Sequence, residues 1–347
     1  MNNEIINEIE FYEQKLKESR SKLYESDWAD DKSIRVVFDQ HITDKFSIYN
    51  GDCIEVLKGV PSNSIHYSIY SPPFSNLFCY SNSSHDMGNC TDSEFYEHFK
   101  FLIPELYRTM MPGRLMSIHC SDIPSMKEKD GVIGLKDFPG IILRAFQEAG
   151  FIYHSKVMIT KDPLLEAVRT KAIGLLHKQI CKDSTRCRNG LPDYVLTIKK
   201  PGENPEPVTH KNGFETYIGD GHVPDENEKN EIQGKNTFSH KIWRRYAASV
   251  WDDINQTKTL NAKMARESGD EKHLCPLQTQ VIERCISLWS NPGDVVLTPF
   301  LGVGSESYIA LKMGRKTIGI ELKASYYKTA LKNLLSVKKG LKGFNLE

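Results

Sequence analysis

Apolar positions along this chain follow two periods. Short β-branched or aromatic runs, FSIYN (46–50), IHYSIY (65–70), RLMSIH (114–119), FIYHSKVMIT (151–160) and DYVLTI (193–198), predict strands. Between several of them lie EFYEHFKFLIPELYRTM (94–110) and FPGIILRAFQEAG (138–150), whose apolar spacing predicts helices. Residues 1–25 place Ile5, Ile6, Ile9, Tyr12, Leu16 and Leu23 roughly on one face and predict a further helix. Residues 201–240 break the pattern. Rich in Pro, Gly, Asn and acids, they predict an insertion or extended loop. The alternation then resumes with a helix in PLQTQVIERCISLW (276–289), a strand in VVLTPF (295–300), a glycine turn, a helix in SESYIALKMG (305–314) and a strand in KTIGIEL (316–322). Strands alternating with helices imply an α/β fold with a mainly parallel sheet covered on both faces.

Composition narrows the class. The 347 residues, 39% hydrophobic and 26% charged, can bury a large core and match a soluble globular protein. No apolar stretch approaches the roughly 20 residues that span a bilayer. The acidic start MNNEIINEIE lacks the layout of a signal peptide, so a cytoplasmic protein with no membrane partner is expected. Lys plus Arg and Asp plus Glu are equal at 45 each, so any contact with nucleic acid must come from local patches. The eight cysteines are scattered without a CxxC pair, which predicts reduced thiols and no metal site.

Two loops carry candidate chemistry. In DVVLTPFLGVGSESYIALKMGRKTIGIEL, a strand runs into a turn holding Gly302 and Gly304, then a helix, then a strand ending in Glu321. Glycines let main-chain N–H groups approach a ligand, and an acid about 20 residues on suits the two hydroxyls of a ribose. Ser307 stands where a dinucleotide site has its third glycine. This favours S-adenosyl-L-methionine (AdoMet), which has a ribose and no phosphate, over a nicotinamide dinucleotide.

The second loop is SPPF (71–74), closing the strand IHYSIY. Residues before proline are extended and prolines have fixed φ, so Ser71, Pro72 and Pro73 form a stiff ledge at the carboxyl end of a strand. That ledge offers carbonyl acceptors without competing donors, and the Ser71 hydroxyl can accept from an amine. Phe74 offers a face on which a base can stack, worth about 1–3 kcal/mol.

SPPF (71–74) and PFLGVG (299–304) together resemble the amino-methylating DNA methyltransferases, which act on N4 of cytosine or N6 of adenine. The tetrapeptide precedes the glycine turn, as in their β group, and the resemblance extends over most of residues 46–335. It implies a Rossmann-like fold with a mostly parallel seven-stranded sheet, helices on both faces and circularly permuted motif order. Residues 46–200 would then be the catalytic half, 261–347 the AdoMet-binding half, 201–260 an insertion for target recognition, and 1–45 a helical extension. It implies a catalytic set of Ser71, Pro72, Pro73 and Phe74, and a cofactor set of Asp52, Pro299, Phe300, Gly302, Gly304 and Glu321. In IYNGDCIEVLKGVP (48–61), Asp52 corresponds to the acid beside the cofactor adenine. HLCPLQTQVIERCI (273–286) is similar to the helix flanking the methionine end of AdoMet. Thr298 replaces the acid that usually precedes Pro-Phe, which leaves Glu306 or Asp294 to hold the methionine ammonium. Serine at position 71 favours cytosine N4, with adenine N6 the alternative.

The expected partners are double-stranded DNA and, as a candidate, a cognate restriction endonuclease. Arg169, Lys171, Lys178, Arg186, Arg188, Arg244 and Arg245 lie in the two most basic stretches and are the expected phosphate contacts. SNSSHDMGN (81–89), with His85 and Asp86, is expected to form a loop over the pocket. The product amine would lose its proton to water. RNA or a protein glutamine as target, a nicotinamide-dependent oxidoreductase, and a silent nucleic-acid-binding module are the competing readings.

Overall fold

The computed structural model describes residues 37–73, 92–125, 130–170, 173–220, 231–232, 235–260 and 277–340. The expected N-terminal helix, Phe74, the 81–89 loop and Lys171 lie outside these residues, and the side chain of Arg169 is also undescribed.

Among the described residues thirteen strands follow in chain order: β1 (Val37–Ile42), β2 (Phe46–Gly51), β3 (Ile65–Tyr70), β4 (Met110–Ser121), β5 (Ile123–Ser125), β6 (Gly134–Lys136), β7 (Ile152–Ile159), β8 (Asp193–Lys199), β9 (Glu231–Ile232), β10 (Lys235–Asn236), β11 (Val250–Trp251), β12 (Val295–Thr298) and β13 (Lys316–Glu321). The α-helices are α1 (Cys53–Lys58), α2 (Asp92–Thr109), α3 (Phe138–Glu148), α4 (Pro163–Thr170), α5 (Thr237–Tyr246), α6 (Thr279–Trp289), α7 (Ser305–Lys312) and α8 (Ala324–Gly340).

One sheet runs in the order β1-β2-β13-β12-β3-β4-β8-β7-β11. From β2 to β4 every neighbouring pair is parallel, and β8 alone runs against both its neighbours, β4 and β7. The expected seven strands form its centre, and β1 and β11 extend it to nine. The late strands β12 and β13 sit between β2 and β3, which is the permuted order in spatial form.

Strand β3 is buried along almost its whole length, as a central parallel strand requires. Its Ile65 and Tyr70 join the core that includes Leu57, Phe99, Leu102, Phe138 and Phe146. Tyr67 and Ile69 join a second core with Val281, Ile282, Val296 and Ile309. Helices thus seal both faces and leave the strand ends open for ligands. No helix among the described residues is long and apolar enough to cross a membrane.

Two parts of the sheet departed from the sequence pattern. β1 is an exposed edge strand without burial alternation, so it left no period-2 signal. β11 shows that the 201–260 stretch also contributes to the sheet, pairing parallel with β7 through Val250 and Trp251. Around it, Phe214, Phe238, Ile242 and Tyr246 make a small separate core.

Candidate active site

The carboxyl ends of β2, β13, β12, β3 and β4 lie side by side along one edge of the sheet, with neighbouring strands about 4.8 Å apart. Asp52 follows β2. Its Oδ1 accepts from the N–H groups of Ile54 (2.8 Å) and Glu55 (3.1 Å), so it caps α1. The neighbouring tip of β13 is tied to β2 by Asn50, whose Nδ2 donates to the carbonyls of Glu321 and Leu322, each at 2.8 Å.

Glu321 reaches from that tip to the glycine turn. Its Oε2 accepts from Gly302 N–H at 2.7 Å and its Oε1 from Lys323 N–H at 2.9 Å. A carboxylate oxygen can accept more than one hydrogen bond, so the group that fixes the turn is of the chemical type that accepts from a diol.

The two turn glycines do different work. Gly302 has φ +54° with open space where a Cβ would stand. Gly304 has φ +88°, and a Cβ there would lie 3.0 Å from Leu334 Cδ1 and 3.1 Å from Ala330 Cβ, so it lets α7 pack closely on α8.

Polar atoms without protein partners line the same turn. Thr298 Oγ1 and Ser305 Oγ are buried and have no hydrogen-bond partner among the described residues. Glu306, in the first turn of α7, is buried, and burial pushes its carboxyl up to about 8, so it is a neutral acid at pH 7. Asp294 stands at the opposite end of β12, where Arg114 Nη2 and Asn291 N–H bind it. Of the two acids expected to replace the one missing at Thr298, only Glu306 is at the correct end of the strand. Orphaned hydroxyls, an open glycine turn and a carboxylate at the tip of the adjacent strand fit the polar groups of AdoMet.

The proline ledge begins one strand over. Pro72 is buried, and Ser71 and Pro73 are half-buried. Tyr70, the residue before it, packs its ring on Phe300 of the glycine turn, with centroids 5.6 Å apart. Beneath, Ser68 Oγ donates to the carbonyl of Leu297 at 2.9 Å. The residue that leads into one expected motif therefore packs on the other, some 230 residues away in sequence.

Three further residues stand behind the ledge. Ser71 Oγ lies 2.8 Å from His119 Nδ1, His119 Nε2 lies 3.3 Å from Asp193 Oδ2, and Lys161 Nζ lies 2.5 Å from Asp193 Oδ1. Register explains the gathering: Val195 is opposite His119 and Ile159 is opposite Asp193, so Asp193 and Lys161 are diagonal neighbours on the same face. Burial works to raise the Asp193 carboxyl, but His119 and then Lys161 outweigh it and hold the group down at about 2. Sequence reasoning passed over all three. Their only signals were a histidine inside the apolar strand RLMSIH and an aspartate opening DYVLTI.

The profile of the N6/N4 DNA methylase family matches residues 65–332, more than half of the chain. The chain belongs to this family. The Type II methyltransferase M.BglI of Bacillus subtilis is 24% identical over 325 residues, covering 84% of this chain and 86% of the relative. M1.MboII of Moraxella bovis is 24% identical over 290 residues, covering 82% and 94%. Among solved structures, TTHA0409 of Thermus thermophilus, complexed with S-adenosyl-L-methionine, superimposes with a TM-score of 0.57 at 19% identity, covering 86% of this chain and 95% of that one. The cytosine-N4-specific PvuII DNA methyltransferase gives 0.55 at 17%, covering 86% and 91%. These likenesses show a shared methyltransferase fold.

The basic residues of this methylase separate into two kinds. Lys178 and Arg244 are exposed, as is Arg186, whose Nε lies 3.3 Å from Asp183 Oδ2 in a surface pair. Arg188 instead pairs with Glu166 Oε1 at 3.0 Å, and Arg245 pairs with Asp252 at 3.2 Å and Asp253 at 3.3 Å. Asp253 also receives both terminal nitrogens of Arg284, which is fully buried with Tyr246 and Trp251 against its guanidinium. Arg188 and Arg245 therefore anchor loops through ion pairs. At the far end of the sheet, His66, Glu206 and Asp294 cluster. There Val295 N–H donates to His66 Nδ1, which keeps the ring proton on Nε2, facing Glu206. That tautomer leaves the ring neutral, so His66 meets Glu206 as an uncharged imidazole, and the ion pair at this strand entry is the one between Arg114 and Asp294.

Proposed function

We propose that this chain transfers a methyl group to the exocyclic amine of a base rotated out of double-stranded DNA, with N4 of cytosine as the target. The observation that carries the proposal is the packing of Tyr70, the strand's last residue and the one before Ser71-Pro72-Pro73, on Phe300 of the glycine turn. An amine held by the ledge is then one strand spacing from the turn holding Gly302 and two from Glu321, the span across which a bound cofactor would lie.

The methyl donor is S-adenosyl-L-methionine, which when bound supplies an electrophilic methyl carbon on a sulfonium. The protein's own groups do the positioning. Glu321 would accept from the ribose hydroxyls, Asp52 would lie beside the adenine, and Thr298, Ser305 and Glu306 would meet the methionine end. Across the crevice, the Ser71 hydroxyl and the Pro72 carbonyl would accept from the two hydrogens of the target amine. Those bonds strengthen as the nitrogen becomes cationic, and so lower the barrier rather than merely tighten binding. Phe74 would stack on the base, offsetting part of the few kcal/mol spent on unpairing it. No covalent enzyme intermediate is needed, since the amine is the nucleophile.

Adenine N6 is the second reading. A short stretch of 64 residues is 41% identical to the DNA adenine methyltransferase YhdJ of Escherichia coli strain K12. Expression in a host lacking DNA methylation, followed by mass spectrometry of the nucleosides, tests both. N4-methylcytosine is expected; N6-methyladenine selects the second reading, and unmodified DNA rejects both. Lys178, Arg186 and Arg244 are the proposed phosphate contacts, and a cognate endonuclease is the proposed biological partner.

A further inference from the structure

Amino methylation leaves one product to be placed, the proton that the amine must shed. We propose that Ser71, His119 and Asp193 form a proton relay, in which Ser71 touches the amine and His119, acting through it, receives the proton. The proposal rests on the amino-methylation reading of the same site.

The tautomer of His119 carries the inference. Its side chain is 7% exposed, so water does not decide where its hydrogen sits. An ionised Asp193 can only accept, and Lys161 occupies its other oxygen. Asp193 Oδ2 approaches Nε2 to 3.3 Å without completing a hydrogen bond, and its negative charge at that distance favours the ring hydrogen on Nε2, which leaves the Nδ1 lone pair for Ser71. The Ser71 hydroxyl hydrogen then points at Nδ1 over 2.8 Å, and its oxygen lone pairs are left for an amine N–H. The reverse tautomer would set a nitrogen lone pair against a carboxylate.

The atoms balance. As the amine nitrogen bonds to the methyl carbon, the carbon–sulfur bond of the sulfonium donor breaks with its electron pair going to sulfur. One proton of the now cationic amine passes to Ser71 Oγ, while the Ser71 proton passes to His119 Nδ1. The resulting imidazolium faces Asp193, and its proton leaves to water once the product has gone. The positive charge that arrives on the donor therefore departs through His119.

A double-variant cycle tests this. Ser71→Ala and His119→Ala should each lower the single-turnover rate on a DNA duplex about 100-fold, with the Kd for AdoMet unchanged. The double variant should stay within about threefold of the slower single one, because relay members act as a unit. Multiplied losses, or a wild-type rate in His119→Ala, overturn the relay. His119→Asn keeps an acceptor for the Ser71 hydroxyl but cannot take the proton, and should be as slow as His119→Ala. Recovery in that variant overturns the relay by leaving His119 only a support. Nitrogen NMR of the unmutated, ligand-free protein needs no variant to fold: a neutral ring with hydrogen on Nε2 is expected, and hydrogen on Nδ1 overturns the proposal. Wild-type methylation in the same assay separates the two claims. Its absence rejects the amino-methylation reading and the relay with it, whereas active wild type with unimpaired variants rejects the relay alone.

Discussion

The two halves of the sheet's carboxyl edge are built by different means. On the side proposed for the cofactor, Glu321 and Gly302 are 19 positions apart and meet through a main-chain N–H group. On the side proposed for the amine, Ser71 and His119 are 48 positions apart and meet through side chains, with Asp193 and Lys161 arriving from β8 and the end of β7. A turn that works through its backbone needs a local run of permissive residues. A side-chain cluster needs only the correct register of distant strands.

That contrast can be broken from either side. Ser71→Ala should lower the methyl-transfer rate about 100-fold and leave AdoMet affinity intact. Glu321→Ala should raise the AdoMet Kd about 10–100-fold, the loss of hydrogen bonds to a charged acceptor, while the rate at saturating cofactor stays within a few-fold. Calorimetric titration beside single-turnover kinetics reads both. If both variants lost the same parameter, the division between the halves would be wrong.

Acid and base should also act on opposite sides. Asp193 is held at about 2 against an ordinary 3.8, so the folded state resists protonation that the unfolded chain accepts. Its contribution is complete above about pH 4 and is lost as pH falls toward 2, roughly 2 kcal/mol in all. Glu306 is raised from 4.5 to about 8, so its contribution is complete below about pH 4.5 and is lost as pH rises through about 8. Urea unfolding across pH should show Asp193→Asn flattening the acid side and Glu306→Gln the alkaline side. An unchanged profile in either variant removes that group from the account.

Smaller effects sharpen the cofactor turn. Gly304→Ala should cost about 1–3 kcal/mol, since its φ of +88° is joined by a collision with Ala330 and Leu334. Gly302→Ala meets open space and should cost about 1 kcal/mol from φ alone. Equal losses in urea unfolding would contradict the separate roles of the two glycines. Smallest is the change at the DNA surface. Arg244→Ala should reduce the slope of log affinity against log salt by about 1. Arg245→Ala should leave the slope unchanged and lower Tm, because Asp252 and Asp253 already hold that guanidinium.

Legibility in the sequence followed the same division. The strands around FSIYN, IHYSIY and KTIGIEL announced themselves because buried parallel strands are apolar nearly throughout, and the glycine turn because its residues are contiguous. β1 stayed hidden because an exposed edge imposes no alternation, and β11 because two residues carry no period. Gly304 was legible as a glycine but not in its reason, which is the approach of α8 across the turn. His119, Asp193 and Lys161 could not be grouped, because only the β4–β8–β7 register makes them neighbours. The pairing of Arg188 with Glu166 and of Arg245 with Asp252 and Asp253 was not legible, because charge is visible in sequence and pairing is not.

The central claim is that this edge delivers a methyl group to the amino nitrogen of a DNA base. Purified protein, AdoMet carrying a labelled methyl group and unmethylated duplex DNA test it directly, with the DNA digested to nucleosides afterwards. The account predicts label in N4-methylcytosine from wild type and its near-complete loss with Ser71→Ala. Label on a ring carbon, or undiminished transfer by Ser71→Ala, would contradict it.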